Sequence, residues 1–204
     1  MIRGNQPKHK ICRKAGFCLW ANPKCPASRG KTHFAGEHGR KNYRRSDYSR
    51  MLFEKQKLRY TYNITEKQFR TTFAKAKQMR GVTAENLLLL LETRLDAVIF
   101  RAGFASSPFQ ARQLVSHGHF LIDGTKATIP SMRVKVGQIV SIRPKSQNHE
   151  WALVALDRLG EFNVPYIEVS SDQGTARITQ PPMMEHIPVG GIDVQQTVSY
   201  YSRL

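Results

Sequence analysis

From residue 1 to 42 the chain sustains neither a helical nor a strand period of apolar positions. Lys, Arg, Gly, Pro and His alternate with isolated apolar residues. Such a segment predicts an extended or irregular arm that a partner or a metal must order. The pattern changes at Ser46. Ser46-Asp47 predicts a helix cap, and the stretch to Tyr60 combines apolar Tyr48, Met51 and Leu52 with a basic face of Arg50, Lys55, Lys57 and Arg59. Thr65-Glu66-Lys67-Gln68 has the capping-box form and predicts a helix through Phe69, Phe73 and Ala76 that stops at Gly81. A Leu-rich helix follows over Thr83–Glu92. Leu95, Val98, Ile99 and Ala102 fall on one helical face closed by Gly103. Ser107 and Pro108 supply a cap and a first-turn proline for the next helix. That helix turns Ala111, Leu114 and Val115 inward and Gln110, Arg112 and Gln113 outward, and it ends at Gly118.

Beyond Gly118 the period shortens to two. His119–Ile122, an Asp123-Gly124 hairpin turn, Lys126–Ile129 and Gln138–Ile142 predict a small sheet. Glu150–Leu159 predicts one more helix, and Val164–Val169, Thr175–Ile178 and Thr197–Tyr201 predict short strands. The fold class expected is α+β: an extended basic N-terminal arm over 1–45, a helical region over 46–93 joined by the tail over 146–204, and a small helix-turn-helix-plus-sheet module over 94–145.

Charge supplies what the pattern leaves open. The 204 residues carry 32 Lys and Arg against 15 Asp and Glu, a formal net of +17. A polycation of this size attracts polyanions over a Debye length, and release of their counterions drives binding. The charge is graded: residues 1–60 net +13, residues 61–145 net +8, and residues 146–204 net −4. A polyanion is therefore expected on the first three-quarters of the chain, and the acidic tail suits a protein-facing side. No stretch reaches the roughly 18 apolar residues of a membrane span. Residues 1–14 lack an apolar core of the kind a secretory signal needs, so a cytoplasmic location is expected.

The segment from Gly36 to Arg59 carries the clearest chemistry. Arg40-Lys41-Asn42-Tyr43-Arg44-Arg45 places a tyrosine among cations and donors: guanidinium forks suit phosphate, and a tyrosine ring stacks on an unpaired base. The nucleic-acid contacts expected here are His38, Arg40, Lys41, Tyr43, Arg44, Arg45, Tyr48, Arg50, Lys55, Lys57 and Arg59. In the module they are Arg101, Ser106, Gln110, Arg112, Gln113 and His117. A-form RNA hides its bases in a deep groove, so such a face is expected to read backbone shape and phosphates.

Three cysteines cluster within the first 25 residues, an arrangement that fits metal ligands or reduced thiols better than a disulfide framework. His9, Cys12, Cys18 and Cys25 offer the number and type of ligands of a structural zinc, although the spacing is not that of two C-x-x-C knuckles. Gly30-Lys31-Thr32 imitates the end of a phosphate-binding loop, but Cys25 stands where the first glycine is required. No paired-carboxylate, H-E-x-x-H or dinucleotide fingerprint occurs, and nothing gathers a nucleophile with a base, so no enzymatic activity is expected.

The order of these blocks resembles the ribosomal protein S-four family of the bacterial small subunit. Gly36-Glu37-His38-Gly39 with Ser46-Asp47-Tyr48 resembles that family's first signature. Glu54 to Arg59, Tyr62, Glu66, Gln68-Phe69 and Gly81 resemble the next block. Leu90-Leu91-Glu92, Arg94-Leu95-Asp96, Arg101, Gly103-Phe104, the run Ala111–Val115 and His117-Gly118 resemble its RNA-binding module, and Tyr201-Ser202-Arg203 its ending. The resemblance implies a structural constituent of the small ribosomal subunit. Such a protein binds small-subunit rRNA early in assembly, at a multi-helix junction in the 5′ domain. It implies neighbours in ribosomal proteins S-three and S-five, a position at the mRNA entrance, and an influence on decoding accuracy. Zinc-binding members carry two cysteine pairs in the arm, whereas here His9 holds the first paired position and the later spacing differs.

Overall fold

The computed structural model describes residues 9–20, 22, 24–34, 36–37, 39, 46–157, 159, 164–170 and 174–203. Two compact units divide the chain: residues 1–75 with 189–204, and residues 76–188.

In the first unit, α1 (His9–Ala15) lies inside the arm that was expected to be irregular. The correction has a local cause. Cys12, Leu19, Trp20, Cys25 and Ala27 are all buried, and the Trp20 indole N–H donates to the Tyr60 carbonyl at 3.0 Å. A miniature core too sparse to give a period therefore holds the segment. Helix α2 (Asp47–Thr61) starts as expected, with the Ser49 N–H donating to Ser46 Oγ at 3.3 Å. Helix α3 (Glu66–Gln78) opens on a reciprocal capping box: the Gln68 N–H donates to Thr65 Oγ1 and the Thr65 N–H to Gln68 Oε1. Both helices bury aromatic residues, Phe53 on α2 and Phe69 and Phe73 on α3.

The segment Thr197–Tyr201, expected as a strand, lies in helix α8 (Val194–Ser202) packed on α2. Its β-branched and aromatic residues suggest a strand, but Val194, Thr197 and Tyr200 recur every three residues and are the ones buried. The Asp193 carboxylate caps the helix by accepting the Gln196 N–H at 3.1 Å. Burial and the cap outweigh strand propensity here.

The second unit contains α4 (Thr83–Glu92), α5 (Leu95–Arg101), α6 (Pro108–Ser116) and α7 (Glu150–Asp157), with an antiparallel sheet. Its strands are β1 (Phe120–Ile122), β2 (Thr125–Ala127), β3 (Ile139–Ile142), β4 (Ile167–Ser170) and β5 (Thr175–Ile178), in the order β2-β1-β3-β5-β4. Asp123 and Gly124 both have positive φ, 48° and 79°, the geometry a two-residue hairpin turn requires. Register places Phe120 opposite Ala127 on one side and Ile142 on the other. Pairing of β3 with β5 aligns Val140 with Ala176, so the tail strands extend the module's sheet. Phe104, Phe120, Leu95, Ile99, Val115 and Ile142 form the core between α5, α6 and the sheet. Helix α6 begins at the expected cap, with the Gln110 N–H donating to Ser107 Oγ at 3.3 Å, and it ends at Gly118, whose φ is 73°.

Candidate nucleic-acid surface and ligand cluster

Residues Ser106 to His117 present a row of polar groups on a rigid support. Helix α6 is anchored by buried Ala111, Leu114 and Val115, which leaves Ser106, Gln113 and His117 exposed and Gln110 half-buried. Gln110 Oε1 accepts from both the Ser106 N–H at 2.8 Å and the Ser106 hydroxyl at 2.7 Å, so the side-chain amide is oriented before any ligand arrives. The same two residues line a cleft of about 270 Å³ with Phe104, Trp151 and Val154.

Arg112 was expected to point outward and is instead partly covered. Its guanidinium lies 3.9 Å from Asp96, which is held by Arg94 through two contacts of 2.9 and 2.8 Å. Burial pulls the Arg112 pKa down, Asp96 opposes this, and Arg94 adds to it. Arg101 departs further from expectation. Its guanidinium grips the fully buried Glu92 carboxylate with contacts of 2.7, 3.1 and 3.1 Å, and the Tyr166 hydroxyl donates to the same carboxylate at 3.0 Å. The exposed position expected for Arg101 is therefore corrected: it joins α4 and α5 to the residue preceding β4.

The basic face expected on α2 is corrected in the same way. Lys55 is buried, with Nζ 2.9 Å from Glu66 and 4.8 Å from the Tyr200 ring centre. Lys57 is buried too, 2.6 Å from Glu54, and donates to the Gly191 carbonyl at 3.1 Å. Arg59 is largely covered, donating to Gln56 Oε1 at 2.9 Å and lying over the Tyr60 ring. Arg50 and Tyr48 are exposed as expected, Arg50 3.8 Å from Asp47 and Tyr48 beside Tyr200. His38, Arg40, Lys41, Tyr43, Arg44 and Arg45 lie outside the described residues.

Sequence reasoning missed two features. On α3, Lys67, Arg70, Lys75 and Lys77 are exposed, opposite the buried line of Phe69, Phe73 and Ala76. The helical spacing of those cations was present in the sequence and was overlooked in favour of the core. The second is the approach of His149 and Trp151 to His117 and His119, which the sequence had already marked as RNA-contacting or helix-end residues. The separation of His149 and Trp151 from His119 along the chain gave no signal.

In the arm, His9, Cys12, Cys18 and Cys25 each bring one ligand atom to within 4.8 Å of the others, a gathering unique among the described residues. Around zinc at about 2.3 Å per sulfur, tetrahedral ligands sit about 3.8 Å apart, so the four need close in only slightly. His9 Nδ1 is buried without a hydrogen-bond partner, an orphan that a metal or a further donor would satisfy. Burial pushes the Cys12 thiol up. The Cys18 thiol is held below its ordinary value, because backbone amides at Trp20 and Asn22 and the neighbouring thiols outweigh its burial.

Comparison with known proteins fits this architecture. Residues 3–92 match the Ribosomal protein S4/S9 N-terminal domain, and residues 93–140 match the S4 domain, an RNA-binding module. Together they define an RNA-binding ribosomal protein as the class. The small ribosomal subunit protein uS4 of Methylobacterium nodulans is 44% identical over the whole of both chains. Those of Paramagnetospirillum magneticum and Oenococcus oeni are each 41% identical, again over the whole of both chains. The chain belongs to the small ribosomal subunit protein uS4 family. It is a structural protein of the small subunit that works in the cytoplasmic ribosome, and the family is not one of enzymes.

Proposed function

We propose that the protein binds small-subunit rRNA at a junction in the 5′ domain early in assembly, using the polar row on α6 and the basic arm. The observation that carries this reading is the fixed presentation of Ser106, Gln110, Gln113 and His117 on a capped helix, with Gln110 already oriented by Ser106. Arg112 adds charge at the edge of that row, and His38, Arg40, Lys41, Tyr43, Arg44, Arg45, Tyr48 and Arg50 are proposed as further RNA contacts from the first unit. Lys55, Lys57, Arg59 and Arg101, covered and ion-paired, are assigned structural roles instead of RNA contacts. The division of labour proposed is arm (1–45), module (94–145), and a remainder (46–93 and 146–204) that includes the acidic tail. That tail supports the further reading that proteins S-three and S-five and the mRNA entrance lie nearby, with an influence on accuracy.

The test is titration of a 5′-domain rRNA transcript at graded salt, with crosslinked fragments sequenced. Several phosphate contacts give a slope of log affinity on log salt of at least about −4, at about 0.7 to 0.9 per contact. Crosslinks scattered over tRNA and other RNA, or a slope near zero, would reject the assignment.

We also infer that zinc is held by His9, Cys12, Cys18 and Cys25. The ion would supply a structural staple to an arm whose own core is small. One equivalent of zinc in protein purified without added metal, lost on mutating Cys18, supports it; metal-free protein with the same arm fluorescence from Trp20 rejects it.

A further inference from the structure

Three imidazoles from two separate segments come together within the second unit. His117 follows α6, His119 precedes β1, and His149 precedes α7. The His117 and His119 ring centres are 6.0 Å apart, those of His119 and His149 5.5 Å, and Trp151 stands edge-on to His119 at 5.4 Å. His117 and His149 are exposed and His119 is half-buried. We propose that His117, His119 and His149, beside Trp151, form a proton-linked contact for the RNA phosphate backbone. This rests on the RNA-binding reading above and adds to it a subsite and a pH dependence.

Each element packed against His119 contributes to its surroundings. The end of α6 brings His117. The residue after β3, Arg143, donates its N–H to the His119 carbonyl at 2.8 Å. The turn Pro144–Ser146 brings Ser146, whose Oγ is 2.9 Å from His119 Nδ1, and Lys145. The segment entering α7 brings His149 and Trp151, with Glu150 between them in sequence. Burial first, then His149, His117 and Arg143, hold the His119 pKa below its ordinary value. The unbound His119 ring is thus biased toward its neutral form, by burial first and by its neighbours second.

A polyanion reverses that balance. Phosphate oxygens within reach favour the protonated rings, so binding raises the imidazole pKa values and takes up protons. For a group whose pKa is raised on binding, the added affinity is complete below the unbound value and vanishes as pH rises through the bound value. His119, held below its ordinary value when unbound, gains charge on the phosphate, so acidification from pH 7.5 toward 6 strengthens binding. One imidazole raised by one unit gives at most about a tenfold gain. Trp151 also walls the cleft shared with Ser106 and Gln110, so the histidine group continues the α6 row instead of standing apart from it.

The experiment uses the full chain and a 5′-domain rRNA transcript at constant ionic strength. Affinity is measured from pH 6.0 to 7.5 for the native protein and for the double variant His117→Gln, His149→Gln, whose exposed positions leave the core intact. The native protein is expected to bind about tenfold more tightly at pH 6.0, and the double variant to gain less than threefold. Histidine ring proton resonances are followed in parallel, and their titration midpoints should rise when RNA is added. Equal pH gains in both proteins, or unmoved midpoints, overturn the proposal while leaving RNA binding standing. The same rise with inorganic phosphate alone at matched concentration overturns the RNA assignment of the subsite. Failure of the native protein to bind RNA at any pH rejects the underlying reading and this proposal with it.

Discussion

Replacing Arg101 with methionine separates a structural cation from an RNA-binding one. The substitution keeps the length and apolar stem of the side chain but removes the guanidinium that contacts Glu92 at 2.7 and 3.1 Å. Glu92 is fully buried and would lose the guanidinium while keeping the Tyr166 hydroxyl at 3.0 Å. Removing one partner of a buried ion pair costs about 3 to 5 kcal/mol, against about 1.5 to 3 kcal/mol for a single hydrogen bond to a charged group. Arg101→Met should therefore lose about 3 to 5 kcal/mol in urea unfolding, and Tyr166→Phe about half as much. Replacing Glu92 and Arg101 together with apolar residues should recover most of the loss, because no charge is then stranded. At a temperature where the variant remains folded, its slope of log affinity on log salt should equal that of the native protein. A stability loss below about 1 kcal/mol, together with a slope reduced by about 0.7 to 0.9, would refute this reasoning and return Arg101 to the RNA surface.

Other outcomes follow from the same geometry. Lys55 and the Tyr201 hydroxyl hold Glu66 below the ordinary carboxylate range, against the opposing effect of its partial burial. Its contribution is thus present above the unfolded pKa and lost as pH falls through the lower folded value. Glu66→Gln should be less stable than the native protein at pH 7, with the gap closing in acid unfolding below about pH 4. Asn86→Ala removes a buried amide that donates to the carbonyls of Ala76, Met79 and Arg80 at 3.2 to 3.3 Å, and should cost about 1 to 3 kcal/mol by thermal or urea unfolding. A chelator should expose Trp20, read as a red shift in its emission, and Cys18→Ser should show that emission without chelator. Lys67→Met with Lys75→Met should leave stability within about 0.5 kcal/mol but reduce the salt slope by about 1.5, whereas Lys55→Met should do the reverse.

The helices and hairpin of the second unit were legible because each carried its own punctuation. Ser107-Pro108, Gly103, Gly118 and Asp123-Gly124 specify starts, stops and a turn within a few residues of the elements they bound. The helix at Val194–Ser202 was misread because Thr197, Val198 and Tyr200 carry strand propensity, and the period that decides the matter spans barely two turns. Helix α1 was missed for a related reason: seven residues with one buried position give no measurable period. The four-ligand cluster was legible from residue type alone. The histidine group was not, because His119 and His149 are joined only through the sheet and the turn after it.

The same limit explains the misplaced cations. Net charge is a sum, and an ion pair cancels within it, so the excess of +17 survives however many pairs form. Which cations carry that excess depends on which acids come within reach. Glu54 and Lys57 lie three residues apart on one helix, so that pair could be read from spacing. Glu66 reaches Lys55 from the next helix, and Glu92 reaches Arg101 across nine residues and a helix boundary; neither follows from a local rule. The chain thus places acids where they neutralise cations needed for packing, and leaves α3 with four exposed cations on a face without a matching carboxylate row. Composition correctly identifies a polyanion as the partner. Which cations stay available to it is set by tertiary pairing, which covers those in the central part of α2 and leaves those on the outer face of α3 exposed.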